Sequence, residues 1–202
     1  MYKQAINKIL KRYETKTIPV EGKTVFLTFD DGPEPEITEF VLNNLDKYGF
    51  KATFFCRGDN AEKHSKLLAL IRDKGHNIGN HTYNHLHAFE TTSKEYFEDV
   101  EKANQLLHTQ LFRPPHGSLT LSTFFRLRRK YRIFHWGLNS GDSDLNHFDF
   151  EKSLNSLKTR TNSGDIVLFH FCHRHEKETE LLLPEYLKWL NEQGFVSKAI
   201  TI

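Results

Sequence analysis

Cysteine is scarce. Only Cys56 and Cys172 occur in 202 residues, too few for a disulfide framework, which leaves two reduced core residues or at most one pair. No stretch approaches the roughly 18 consecutive apolar residues of a membrane span, so no stable membrane insertion is expected. Charge of one sign is also missing: 28 Lys and Arg against 26 Asp and Glu give a net +2, and nothing in that balance calls for a nucleic-acid partner. The first residues, MYKQAINKILKRYETK, never sustain the apolar run of about 7–15 residues that a secretion signal needs. After residue 23 there is no internal repeat, low-complexity tract or linker. What remains is 38% hydrophobic and 27% charged, a globular composition that excludes wholesale disorder and coiled coil.

Tyr2, Ala5, Ile6, Ile9, Leu10 and Tyr13 fall at helical spacing with lysines between them, so residues 1–22 read as an N-terminal amphipathic arm and residues 23–202 as a single domain. Within that domain, short β-rich runs alternate with helical patterns. Thr24–Phe29, Lys51–Cys56, His76–Asn80, Ile133–Leu138, Ile166–His170 and Phe195–Ile200 are the expected strands. Helices are expected after each of the first three, the third opening on a Thr92/Glu95 capping box, with further helices around the basic run 126–132, near 150–160, and through Leu183, Leu187 and Leu190. Such alternation argues for parallel pairing through right-handed crossovers, hence an α/β fold, either a barrel or an open doubly wound sheet.

In parallel α/β folds the functional groups gather at the carboxyl ends of the strands. Twelve histidines are many for this length, and several fall at such ends. Asp30 and Asp31 follow the first strand, His81 and His85 the third, Asp142 lies past the strand 133–138, and His170 ends the run IVLFH. Asp30-Asp31-Gly32-Pro33 could be only a turn, but two adjacent carboxylates repel each other unless a cation or cationic side chain relieves them. His81 and His85, at i and i+4 on a turn or helix, would complete with Asp31 the two-His, one-carboxylate shell of a catalytic zinc. Arg113, beside Pro114-Pro115, can hold a carboxylate ionised. His173 and His175 read as incidental loop residues, and the run RLRRKYR (126–132) as a solvated helix face.

These residues resemble the NodB-homology polysaccharide deacetylases, the family 4 carbohydrate esterases. TFDDGP (28–33), HTYNH (81–85), FRPPHG (112–117), Trp136 with Asp142, and Leu168-Phe169-His170 are similar to the family motifs, in their order. The resemblance implies a distorted (β/α)7-type barrel with its site at the carboxyl-end rim. It implies Asp30 as catalytic base tethered by Arg113, and Asp31, His81 and His85 as ligands of Zn2+, with Co2+ as an alternative. His170 would be the general acid, tuned by Asp142, with Asp144 as the other carboxylate in reach of that role. The His116 N–H would bind the oxyanion, while Leu168 and Trp136 would line the substrate site.

Two positions depart from the pattern. His116 stands where many members have Tyr, and Ser143 follows Asp142 where Trp is usual, which reshapes the groove wall. The implied reaction is removal of N-acetyl groups from N-acetylglucosamine-containing glycans, peptidoglycan or chitin-like oligomers. An O-acetyl esterase on xylan or small acetylated sugars and a non-catalytic glycan-binding relative are the competing readings. The sequence places the chain in the cytoplasm for want of a signal, although members of that family often act on wall or extracellular glycans. It says nothing of oligomeric state.

Overall fold

The computed structural model describes residues 15–202, so residues 1–14 of the arm expected over 1–22, with its helical pattern, lie outside the described residues. The elements run β1 (Thr24–Asp30), α1 (Ile37–Asp46), β2 (Ala52–Cys56), α2 (Gly58–Lys63), α3 (Ser65–Asp73), β3 (Asn77–Asn80) and α4 (Ser93–Leu107). They continue β4 (Leu111–Phe112), α5 (Leu121–Leu127), β5 (Arg132–Ile133), β6 (Leu138–Asn139), α6 (Phe150–Arg160), β7 (Ile166–His170), α7 (Glu176–Glu192) and β8 (Val196–Ser197). The strands form one curled parallel sheet in the order β5-β4-β3-β2-β1-β7-β6, with β8 on the lower end of β1. This is an α/β fold with a curled half-barrel sheet, in line with the distorted (β/α) barrel that the resemblance implies. Among the described residues no helix is long and apolar enough to cross a membrane.

β1 lies at the centre and is buried along its whole length, which is why it reads as a continuous β-forming run rather than an alternating one. Val25, Leu27 and Phe29 pack under the helices, where Phe29 stacks on Phe54 at 5.1 Å between ring centroids and touches Phe169 and Phe171. The alternate residues Phe26, Thr28 and Asp30 belong to the other face, with Phe26 in a second cluster beside Phe55 and Ile166 and the other two bonded to the buried Arg113. The Thr92/Glu95 capping box opens α4, each partner taking the other's backbone N–H, at 3.2 and 3.0 Å.

The expected strand Ile133–Leu138 is instead two short ones. β5 and β6 sit at opposite ends of the sheet, and residues 134–137 cross the gap between them. β5 pairs with β4 and β6 with β7, toward opposite ends of an open sheet, so a single strand cannot serve both. Residues 15–18 stitch the seam: His135 N–H donates to Thr15 O at 2.9 Å, Ile166 N–H to Lys16 O at 3.3 Å and Ile18 N–H to Gly164 O at 2.8 Å. Gly137 permits this, since a Cβ there would stand 2.9 Å from Lys16 O.

Other expected bounds also shift. β4 is too short to leave a periodic signal, and the final strand shrinks to Val196–Ser197. The basic run is not one helix face: α5 stops at Leu127, and Tyr131 turns inward to bond Glu101 through its hydroxyl. Cys56 and Cys172 are both free and buried.

Because Phe29 joins the sheet to both neighbouring strands, Phe29→Ala should cost about 3–5 kcal/mol of stability, the usual range for emptying an aromatic site in a core. Urea unfolding followed by circular dichroism measures it.

Candidate active site

The carboxyl ends of β1, β3, β4 and β7 converge on a cavity of about 410 Å³. At the end of β1 the chain turns sharply. Asp31 takes φ 85°, and a Cβ on Gly32 would stand 2.5 Å from the Phe171 backbone and ring, so only glycine allows the turn. Asn60 secures it, its amide donating to Asp31 O at 2.9 Å and to Glu34 Oε1 at 3.1 Å.

The loop after β3 is a tight turn and not a helix, with Thr82 at φ 63° and His85 at φ 56°. It still brings the two imidazoles together, 5.2 Å between ring centroids. Asp99 of α4 holds this loop: its carboxylate accepts from Tyr83 N–H at 2.8 Å, Asn84 N–H at 3.0 Å and the Asn84 amide at 2.5 Å. Sequence reading passed over Asp99. The available signal was a carboxylate on the same helix face as the buried Tyr96, Val100 and Ala103.

His81 Nδ1 lies 2.8 Å from Arg113 O. A carbonyl can only accept, so Nδ1 carries the hydrogen and the Nε2 lone pair faces the cavity. Burial draws His81 down to about 4, which keeps it neutral and able to ligate. Asp31 Oδ1 sits 3.1 Å from His85 Nε2 and 3.5 Å from His81 Nε2. It is nevertheless a buried oxygen with no aligned hydrogen-bond donor. Burial alone would raise this carboxyl, but the imidazoles of His85, His81 and His170 hold it far below the usual range. Donor atoms of Asp31, His81 and His85 all lie within 4.8 Å of one another. Lone pairs converging on a common point, one of them orphaned, fit a divalent cation with an open side.

Two oppositely polarised pairs flank this cluster. Asp30 Oδ1 accepts from Arg113 Nη1 at 2.7 Å, while Oδ2 is turned toward His81 Nε2 at 3.9 Å. Arg113 is wholly buried and also donates to Thr28 Oγ1 at 2.8 Å and His135 O at 2.9 Å, with its guanidinium 4.2 Å above the Phe55 ring. On the other side, His170 Nδ1–H donates to Asp142 Oδ1 at 2.9 Å and His170 N–H to Oδ2 at 2.7 Å. Thr179 Oγ1 completes Asp142 at 3.0 Å. Burial alone would lower His170, but the charge and hydrogen bond of Asp142 outweigh it, and Asp31 and Asp30 add to them, lifting the imidazole to about 9. Asp144, the other carboxylate considered, is exposed and pairs with His147.

His116 stands at φ 57°, and its N–H donates to no acceptor among the described residues. Its ring lies 4.7 Å from that of His85 and 4.9 Å from that of His87. Leu168 and Trp136 line the same cavity, as does Ser143. The indole of Trp136 requires the neighbouring Gly117, where a Cβ would approach it to 2.7 Å. His173 is exposed and bonded to Glu176. His175, read from sequence as incidental, is instead buried, with its ring 4.9 Å from that of His170.

A titration tests the second pair. In the metal-free protein His170 should carry its proton at pH 7 and lose it near pH 9. Asp142→Asn removes the main raising influence, so the titration should fall back toward the ordinary value of about 6.5. Nitrogen-15 NMR of the histidine side chains reads both.

A family model described as polysaccharide deacetylase matches residues 17–131. The chain is 31% identical over 189 residues to a peptidoglycan-N-acetylglucosamine deacetylase of Bacillus cereus, covering 91% of this chain and 89% of that protein. Two other relatives are longer, and the chain spans 57% and 40% of their lengths. Among solved structures, a family 4 carbohydrate esterase from Streptomyces lividans in complex with acetate superposes with a TM-score of 0.79 at 25% identity, covering 89% of this chain and 94% of that one. A peptidoglycan N-acetylglucosamine deacetylase gives a TM-score of 0.83 at 27% identity, covering 95% and 93%.

Proposed function

Since the chain belongs to the polysaccharide deacetylase family, and so is a hydrolase of acetylated glycans, we propose that it removes N-acetyl groups from N-acetylglucosamine units, with peptidoglycan as first substrate and chitin-like oligomers as second. The observation that carries this reading is the pairing on either side of the Asp31, His81, His85 cluster: a carboxylate beside a buried arginine and an imidazole beside a buried carboxylate. A protein that only held a glycan would need neither. The names of the relatives favour peptidoglycan.

A divalent cation held by Asp31, His81 and His85 supplies Lewis acidity toward the acetamide carbonyl and the attacking water, and zinc suits the donor set, with cobalt as the alternative. Asp30 uses Oδ2, the oxygen that Arg113 leaves free, to take the proton of that water. The His116 N–H, unclaimed among the described residues, donates to the developing oxyanion; loss of one such donor typically costs about 3–4 kcal/mol of barrier. His170 keeps its proton at neutral pH and delivers it from Nε2 to the departing amine, while Asp142 holds Nδ1. The side chain of Leu168 gives the acetyl methyl group an apolar wall, and Trp136 forms the side of the sugar groove. The products are acetate and a glucosamine unit. Ser143 and His116, in place of larger or phenolic side chains, reshape the wall of the groove at that end.

Asp30→Asn should keep the cation and lower kcat about 10²–10⁴-fold, the usual contribution of a positioned base, whereas His81→Ala should lose both cation and turnover. Acetate release from N-acetylglucosamine oligomers and peptidoglycan, with metal analysis of each variant, checks this. Acetylated xylan in the same panel separates amide from ester cleavage: release from the ester alone would overturn the amidase reading.

A further inference from the structure

Asp31 presents its two oxygens in different directions. Oδ1 faces His81 and His85, while Oδ2 lies 3.9 Å from the sulfur of Cys172. A donor atom from each of Asp31, Cys172 and His175 also falls within 4.8 Å of the others. Cys172 and His175 are each only 6% exposed. The short helical turn His173–His175 brings the pair to one side, with His175 N–H closing back on Cys172 O at 3.0 Å. His175 Nδ1 is buried and has no partner, which is rare for a polar atom withdrawn from water. The fold has thus gathered a thiol, an imidazole and a carboxylate around one point, with a ring nitrogen unsatisfied.

We propose that Asp31, Cys172 and His175 form a second cation site, for a thiophilic divalent ion such as Zn2+, which shares Asp31 with the cluster of Asp31, His81 and His85. The donor types select the ion: a thiolate with an imidazole favours zinc and its soft neighbours over magnesium or calcium. Sharing is ordinary carboxylate chemistry, since one carboxylate can span two cations about 3.5–4 Å apart. This inference rests on the reading of the first site given under Proposed function.

Cobalt(II) titration of the chelator-stripped full chain tests it, because a cobalt–thiolate bond adds a near-ultraviolet charge-transfer band that imidazole and carboxylate ligands do not. The expected result is two equivalents bound, with the band developing. Cys172→Ser should bind one equivalent and lose the band, and His175→Asn should shift the band-forming step to higher cobalt concentration. The double variant His81→Ala/His85→Ala should keep the band and lose the other equivalent. A band that survives Cys172→Ser would assign the thiolate to Cys56 and overturn the proposal. So would a single equivalent, whether it lacked the band, which leaves the first site standing, or carried it. Binding of no cation by the wild-type chain would remove the Asp31, His81, His85 site and this one together.

Discussion

The buried ion pair of Arg113 and Asp30 is the contact on which the rest of the site hangs. A guanidinium with no exposure needs partners for its charge inside a protein. Here the two terminal nitrogens donate to Asp30 and Thr28 on β1 and to the carbonyl of His135 in the seam, Nε has no acceptor among the described residues, and the face of Phe55 on β2 lies against the cation. The backbone carbonyl of the same residue orients His81. One residue, through its side chain and its carbonyl, therefore ties the central strand, its neighbour, the crossing segment and a candidate ligand into a single arrangement. Loss of one partner from a buried pair of this kind typically costs about 3–5 kcal/mol, so the electrostatics around the proposed base and the integrity of the barrel are the same matter.

The second constraint is that the proposed acid, His170, and the proposed base, Asp30, must stay distinct within one small cavity. Here Asp30 has a fixed cation beside it and His170 a fixed anion, and both anchors are fully buried. The anchors cannot rotate away or be screened by salt, which makes the assignment of roles a property of the fold rather than of the solvent.

Much of this was legible in the residues, and what was not has physical reasons. β1 could be read because a doubly covered parallel strand leaves a continuous run that ends at Asp30-Asp31-Gly32-Pro33. The rim could be read because strand ends are marked by polar groups after apolar runs. The split of the expected strand 133–138 could not: it follows from which strands occupy the sheet edges and from residues 15–18 reaching across, both non-local facts. The basic run 126–132 misled because its charges conceal Tyr131, which packs against Phe112 in a buried cluster and bonds Glu101 on another helix. Asp99 and His175 were passed over for opposite reasons. Asp99 left a signal, a carboxylate on an apolar face, whereas His175 is buried only because α7 closes over a turn that looks polar in sequence.

The strand order has a consequence for how the molecule is made. β1 and β2 lie close together in the chain and can pair at once, yet the other long edge of β1 is completed only by β7, which begins at Ile166. Between the emergence of β2 and that of β7 the longest strand in the sheet has a bare row of amide and carbonyl groups, the kind of edge that recruits foreign strands. Asp30 itself waits for His170, its register partner across that edge. The nascent chain thus carries its central strand unshielded on that side until β7 has emerged, and protection of that edge falls to whatever meets the growing polypeptide first.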